Sequence, residues 1–322
     1  MRTDINYLAS LQTDGSLGKT VEPTIAALRA SSTQGGFATD CARMGGGFSA
    51  WRLALQQDAG RLVSDLTSIH DATGVAVLVI PQTVEGTYGY LGARQLLGSR
   101  LTTSHVLDIG GGSLQVAGEQ TSFGKPLGQK IWHQQLCQAL RNSPVQPCAL
   151  SPMVNEELVQ ARLLIAKQLD GIRATLPDAV TMTAISRPVT RGVAPAVERL
   201  RDKVPGQATF SRSELSQAIE QVVRQTHEET AATLQSPSTY VAYLLSDMLL
   251  VEGLMQATSM EYLNIAELDL TNLPGLLADD SAFRWVSSYG CYLERLGRIG
   301  LEAYASDPAT CPPGDRPGKS DR

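Results

Sequence analysis

The sequence predicts an α/β protein, built as two lobes or as one large unit, and three observations lead there. The chain has 322 residues, too many for one small domain. Apolar runs of strand length alternate along it with segments of helical spacing. Hydrophobic residues make up 43% and charged residues 18%, a composition that can bury a large core and does not fit a disordered chain.

Taken in order, Val21 to Ala30 reads as a helix with Pro23 tolerated near its start, and Phe48 to His70 as a second helix. Val75 to Ile80 is an uninterrupted apolar and β-branched run, suited to a strand covered on both faces, and Pro81 ends it. A helical pattern follows from Val84 to Leu97, with Tyr88, Leu91 and Gln95 at helical spacing. His105 to Ile109 and Leu114 to Ala117 have strand patterns, and Gly110-Gly111-Gly112 between them makes a hairpin with a glycine tip. Ser151-Pro152 predicts a helix start, ahead of an apolar stripe of Val154, Leu158, Ala161, Ile165 and Leu169. Val180 to Ile185 is strand-like, and Ser211-Arg212-Ser213-Glu214 is a capping box whose flanks Phe210 and Leu215 fit a hydrophobic staple. Tyr240 to Met255 is the most apolar long stretch, but it carries Asp247 and Glu252 and is shorter than a bilayer span, so a buried helix is expected. Thr310 to Arg322, with three prolines, reads as a mobile tail.

The net charge of −5, with no Lys/Arg-dense tract, argues against a nucleic-acid surface, and no segment argues for a membrane. The five cysteines lack CxxC or Cys/His spacing, so incidental thiols are expected instead of a zinc site or a disulfide framework. No signal-peptide core follows the N-terminus, and a cytoplasmic location is expected.

The chemistry concentrates at Asp108-Ile109-Gly110-Gly111-Gly112-Ser113. Three glycines let the backbone approach a ligand and adopt positive φ, and successive N–H groups make a concavity for phosphate oxygens. Asp108 brings a carboxylate to the same spot, where it can hold a water of a magnesium ion or orient a substrate, and Ser113 adds a hydroxyl. The plainer alternative is an ordinary hairpin turn with Asp108 bonded to local backbone. A strand follows the glycines, not a helix, which excludes a dinucleotide fingerprint. Gly18-Lys19-Thr20 resembles the end of a P-loop but lacks the first glycine and a preceding strand.

Val106 to Val116 resembles the second phosphate loop of the Ppx/GppA family of exopolyphosphatases and guanosine pentaphosphate phosphatases. Upstream, Pro81 to Ala93 occupies the place of the family's Ser-Gly-x-Glu-Glu-Ala segment, with Glu85 matching the second Glu and Val84 replacing the first. Ala38-Thr39-Asp40-Cys41-Ala42-Arg43 is similar to the family's Ala-Thr-x-x-x-Arg, and Pro126-Leu127-Gly128 to its Pro-Leu-Gly. The resemblance implies a two-lobed actin/hexokinase-like (ribonuclease H-like) fold with an incomplete first lobe. Residues 1–98 would form that lobe, 99–280 the second lobe with the phosphate loop, and 281–322 a C-terminal helical extension and tail. It also implies an Mg2+-dependent phosphohydrolase that removes the terminal phosphate of inorganic polyphosphate or guanosine pentaphosphate by water attack. Glu85 would be the general base and Asp108 a second catalytic group holding Mg2+ through water. Gly110, Gly111, Gly112, Ser113 and Arg43 would bind phosphate. A homodimer stays open.

Two departures support a competing reading. The family's first phosphate loop, Asp-x-Gly-Ser-Asn-Ser, has no counterpart, since Asp14-Gly15-Ser16 is too short, and the lack of its strands is expected to leave a sheet edge open. Ser186 to Arg191 stands where the family has a later glycine loop. The alternative is therefore a catalytically degenerate polyphosphate- or nucleotide-binding regulator. An actin-like sugar or acetate kinase is a weaker third reading, because Glu85 suits attack by water.

Overall fold

The computed structural model describes residues 3–36, 41–144, 147–201, 206–237, 241–268 and 272–312. The chain divides into two compact units, Met1–Glu85 with Leu276–Arg322, and Gly86–Gly275. The boundary expected near Gly98 thus falls at Glu85, and the segment from 281 onward is no separate extension but part of the N-terminal unit. Residues 313–322 of the expected tail, and Ala38, Thr39 and Asp40 of the arginine motif, lie outside the described residues.

The first unit opens with helices α1 (Tyr7–Asp14) and α2 (Gly18–Gly35). Gly18 lies at the start of α2 with a helix before it, and Lys19 Nζ is 2.8 Å from Asp14 Oδ1, so this segment is no P-loop. Strand β1 (Met44–Gly47) runs parallel to β2 (Ala76–Val79), in register from Met44↔Ala76 to Gly47↔Val79. Among the described residues these two strands make up this unit's sheet. The glycines of β1 leave room for rings: a Cβ on Gly46 would lie 2.8 Å from the Phe48 ring, and one on Gly47 2.8 Å from that of Trp51. The helix expected over Phe48 to His70 is two, α3 (Ser49–Gln57) and α4 (Ala59–Thr73), because Asp58 caps the second by accepting from Arg61 N–H at 2.9 Å.

β2 is buried at every residue, as its unbroken apolar run predicts. Its edge away from β1, expected to be open, is closed by side chains of the helix Tyr289–Ile299. The Tyr289 hydroxyl donates to Val77 O at 2.9 Å, and the Val79 N–H donates to the Tyr292 hydroxyl at 2.7 Å. Two phenols satisfy the backbone groups that another strand would otherwise pair.

Helix α5 (Gln82–Leu97) leads into the second unit. Its sheet has the order β5-β4-β3-β6-β8-β7. Strands β3 (His105–Ile109), β4 (Leu114–Gly118) and β5 (Ser122–Lys125) form an antiparallel meander, and β6 (Met182–Ala184) joins β3 in parallel. β7 (Thr209–Ser211) is antiparallel to β8 (Tyr262–Ile265), and β8 is parallel to β6. One face of β3 and β4 sends Leu107, Ile109, Leu114 and Val116 into the main core, while Val106 and Ala117 pack with Tyr90 and Ala93 of α5. The main core also takes one face each of α6 (Gln129–Arg141) and α7 (Asn155–Gln168). The helix predicted to open at Ser151-Pro152 begins at Asn155 instead, and Ser151-Pro152 is a cis dipeptide in the connection before it.

The capping box at Ser211 opens α8 (Arg212–Val222) as predicted: Glu214 N–H donates to Ser211 Oγ at 3.2 Å, and Ser211 N–H to Glu214 Oε2 at 2.7 Å. Helix α9 (Leu244–Ala257) is buried on all sides, which its apolar composition requires. No helix among the described residues is long and apolar enough to cross a membrane.

The reading of the cysteines as incidental thiols is corrected. Cys137 pairs with Cys148 and Cys291 with Cys311, and Cys41 is free and exposed. The 11- and 20-residue separations carry no recognised spacing, which is why the pairs were not legible.

Candidate active site

The glycine turn is held as a rigid piece of backbone. β3 and β4 meet at Ile109↔Leu114, and Gly110 N–H donates back across the turn to Ser113 O at 2.8 Å. The first amides of α6 then reach the turn: Gln129 N–H donates to Gly110 O at 2.9 Å and Lys130 N–H to Gly111 O at 2.8 Å. The start of a helix has unspent N–H groups, and here two of them fix the carbonyls of the turn. Gly128 makes this approach possible. A Cβ on it would lie 2.3 Å from Ser113 N and 2.4 Å from Gly110 O, so the Pro126-Leu127-Gly128 motif has a physical reason.

Around the turn stand Asp108, half-buried and directly opposite Gln115, and Ser113, whose hydroxyl accepts from the buried Gln115 amide at 2.8 Å. Lys130, which the sequence reading missed, brings its aliphatic stem to the turn: a Cβ on Gly111 would be 3.9 Å from Lys130 Cδ. Its signal was a basic residue two positions after Pro-Leu-Gly. Ser186, at the carboxyl end of β6, accepts from Ile109 N–H at 2.9 Å. The segment expected to replace a glycine loop is thus a clamp on the strand that bears Asp108. Beyond it the chain makes a wide helical turn, Pro188–Val193, in which Arg191 is ion-paired with Glu267. Ligands of open α/β sheets gather at the carboxyl ends of parallel strands, and Asp108 and Ser186 both lie at that end of the β3–β6 pair.

In the first unit, Glu85 sits in the first turn of α5 and is 7% exposed. Its Oε2 is 2.7 Å from Nη2 of Arg52, itself 5% exposed. Arg52 Nη1 also donates to Ile80 O at 2.8 Å. Burial pushes the Glu85 carboxyl above its usual range, and the Arg52 charge and hydrogen bond act against that push. Arg52, in α3 just after β1, was missed, because nothing in the sequence ties it to a carboxylate 33 positions later. Arg43 does not join Glu85. It precedes β1, at the opposite end of the strand pair from Pro81 and Glu85, and its guanidinium donates to Thr73 O at 3.4 Å. Arg52, not Arg43, is the arginine that the structure brings to the proposed base.

Asp108 and Ser113 offer hard oxygen donors of the kind Mg2+ takes. That donor set fits the metal the resemblance implies.

No curated protein matches the chain. Among solved structures, the Ppx/GppA phosphatase of Aquifex aeolicus, in its type II variant, is similar at 17% identity and a TM-score of 0.60, over 83% of this chain and 85% of that one. A second structure of the Aquifex aeolicus family member gives 16% and 0.62, over 83% of each chain. An exopolyphosphatase from Cytophaga hutchinsonii gives 16% and 0.56, over 81% of this chain and 80% of that one. These likenesses establish the fold, the actin-like two-lobed α/β type. Residues 64–272, more than half of the chain and spanning Glu85, the glycine turn and Gly128, match the Ppx/GppA phosphatase family, and the chain belongs to that family.

Proposed function

We propose that this protein is a phosphoanhydride hydrolase that releases orthophosphate from the end of inorganic polyphosphate or guanosine pentaphosphate. The observation that carries the reading is the backbone-pinned glycine turn with Asp108 beside it. Backbone that need not reorganise when phosphate arrives can stabilise developing charge on a transferring phosphoryl group. In this reading the turn and Lys130 hold the terminal phosphoryl group. Glu85 takes the proton of the attacking water, and Arg52 orients that carboxylate and offsets part of the effect of its burial. Asp108, with Ser113, would hold Mg2+, which supplies neutralising charge to the phosphate oxygens.

The deciding experiment is orthophosphate release from long-chain polyphosphate and from guanosine pentaphosphate with Mg2+, for the wild type, Glu85→Gln and Asp108→Ala. Turnover that falls at least ~100-fold in both variants supports the assignment, a loss in the range of removing a positioned base or charge stabiliser. Turnover unchanged in Glu85→Gln removes Glu85 from the mechanism. The buried Arg52–Glu85 pair favours one second reading, a polyphosphate- or nucleotide-binding regulator without turnover, since a carboxylate committed to a guanidinium is a weaker base. Tight binding of polyphosphate with no phosphate release from the wild type would select it. The enzyme is proposed to work in the cytoplasm, and the four paired cysteines set a condition on that: there the two bridges must resist reduction or stand open.

A further inference from the structure

Away from the glycine turn, the second unit buries an imidazole against two sulfurs. His133 and Cys137 are four residues apart on α6 and so share one face. Both are fully buried, and Cys148, brought back by the following loop, is half-buried. One ligand atom from each of the three lies within 4.8 Å of the others.

The hydrogen bonds fix the tautomer of the ring. The Ser246 hydroxyl donates its proton to Tyr243 O at 2.7 Å. What Ser246 Oγ offers His133 Nδ1, 3.0 Å away, is therefore a lone pair, so Nδ1 carries the ring proton. Nε2 is buried and makes no hydrogen bond of good geometry among the described residues, and the Cys148 backbone lies close enough to the ring to act on it as an acceptor. Tyr243 stands edge-on to the ring at 4.8 Å and holds its plane. An imidazole whose ring is held by a second group, with two sulfurs within a few ångströms of it, is the arrangement that orients metal-ligating histidines.

We propose that His133, Cys137 and Cys148 form a site for one thiophilic divalent cation of the zinc type, open when the Cys137–Cys148 disulfide is reduced and closed when it is formed. The redox step uses a dithiol or phosphine reductant. A dithiol gives two electrons and two protons to the S–S bond, which becomes two thiols, and is itself oxidised to a disulfide. The cation then displaces both thiol protons into solvent and takes two thiolates and the neutral Nε2, leaving a fourth position for water. The oxidised pair has no thiolate to offer. The donors here are soft and those around Asp108 are hard, so zinc and magnesium would sort between the two places.

The test uses the whole protein, reduced with a phosphine, freed of reductant without air, and titrated with Co2+ as a spectroscopic probe and then with Zn2+. The expected result is one equivalent of Co2+ with a thiolate-to-cobalt absorption band, displaced by one equivalent of Zn2+, and binding at least a hundredfold weaker in the oxidised protein. Cys148→Ser should lose the band, whereas the Cys291→Ser/Cys311→Ser variant should keep it. Equal binding by reduced and oxidised protein, or a band that survives in Cys148→Ser, would overturn the proposal. Should Cys148→Ser fail to fold, the reduced and oxidised wild type decide the matter alone.

Discussion

Glu85 and Arg52 act as one neutral unit, and each controls what the other can do. Removing Arg52 leaves a carboxylate buried without its counter-charge, so Arg52→Met is expected to destabilise the protein by about 3–5 kcal/mol in urea unfolding. It also removes the influence that holds the Glu85 pKa down against burial. A base must be deprotonated to work, so the acid limb of the kcat/KM profile for phosphate release should move to higher pH in this variant. Gly128→Ala tests the turn. Its methyl would fall 2.3 Å from Ser113 N, backbone that cannot swing aside, so phosphate release should drop at least ~10-fold in protein that retains its circular dichroism, the cost of a misplaced catalytic backbone. At this scale a candidate residue is legible when chemistry and backbone need coincide, as at Asp108 and Gly110 to Ser113. Arg52 is hidden because its partner Glu85 comes from another element, and Arg43, whose motif matches, lies at the opposite end of the strand pair from Glu85.

Elements were legible where their signals are local. The capping box at Ser211 is of this kind, and Ser211→Ala should cost about 1 kcal/mol in thermal or urea unfolding. The start of α7 was misread because Ser151-Pro152 satisfies the helix-start rule while belonging to the connection before it. The helix predicted over Phe48 to His70 broke at Asp58, whose carboxylate offers a cap that apolar periodicity does not reveal. α9 was legible as a buried helix, but not what its acid does. Asp247 Oδ2 accepts from the Gln129 side chain at the head of α6, and burial holds the Asp247 carboxyl well above the usual range. The native state therefore keeps a proton that the unfolded chain releases above about pH 4, so this group makes stability fall as pH rises from there. Asp247→Asn can still accept from Gln129 and has no proton to lose. It should melt at a higher temperature than the wild type at pH 7 to 8, with the gap closing towards pH 4.

At the scale of the molecule, the joining of the C-terminal segment to the N-terminal unit is not legible in the sequence, because it rests on contacts between residues more than two hundred positions apart. Within that segment Cys311 is bridged to Cys291, and opening the bridge should lower unfolding stability by about 3 kcal/mol, the loop-closure value for some twenty residues. Comparison of reduced and oxidised protein in the Cys137→Ala/Cys148→Ala background measures it. The two tyrosines on β2 carry a further consequence. A strand edge closed by phenol groups is shut only while their helix is docked, and the hydrogen-bonding rail beneath it is apolar and buried. Phenylalanine at both Tyr289 and Tyr292 would leave the helix its rings but not its latch. The exposed rail would then recruit strands from neighbouring molecules, and light scattering on mild heating should report fibrous assembly well before the rest of the chain unfolds.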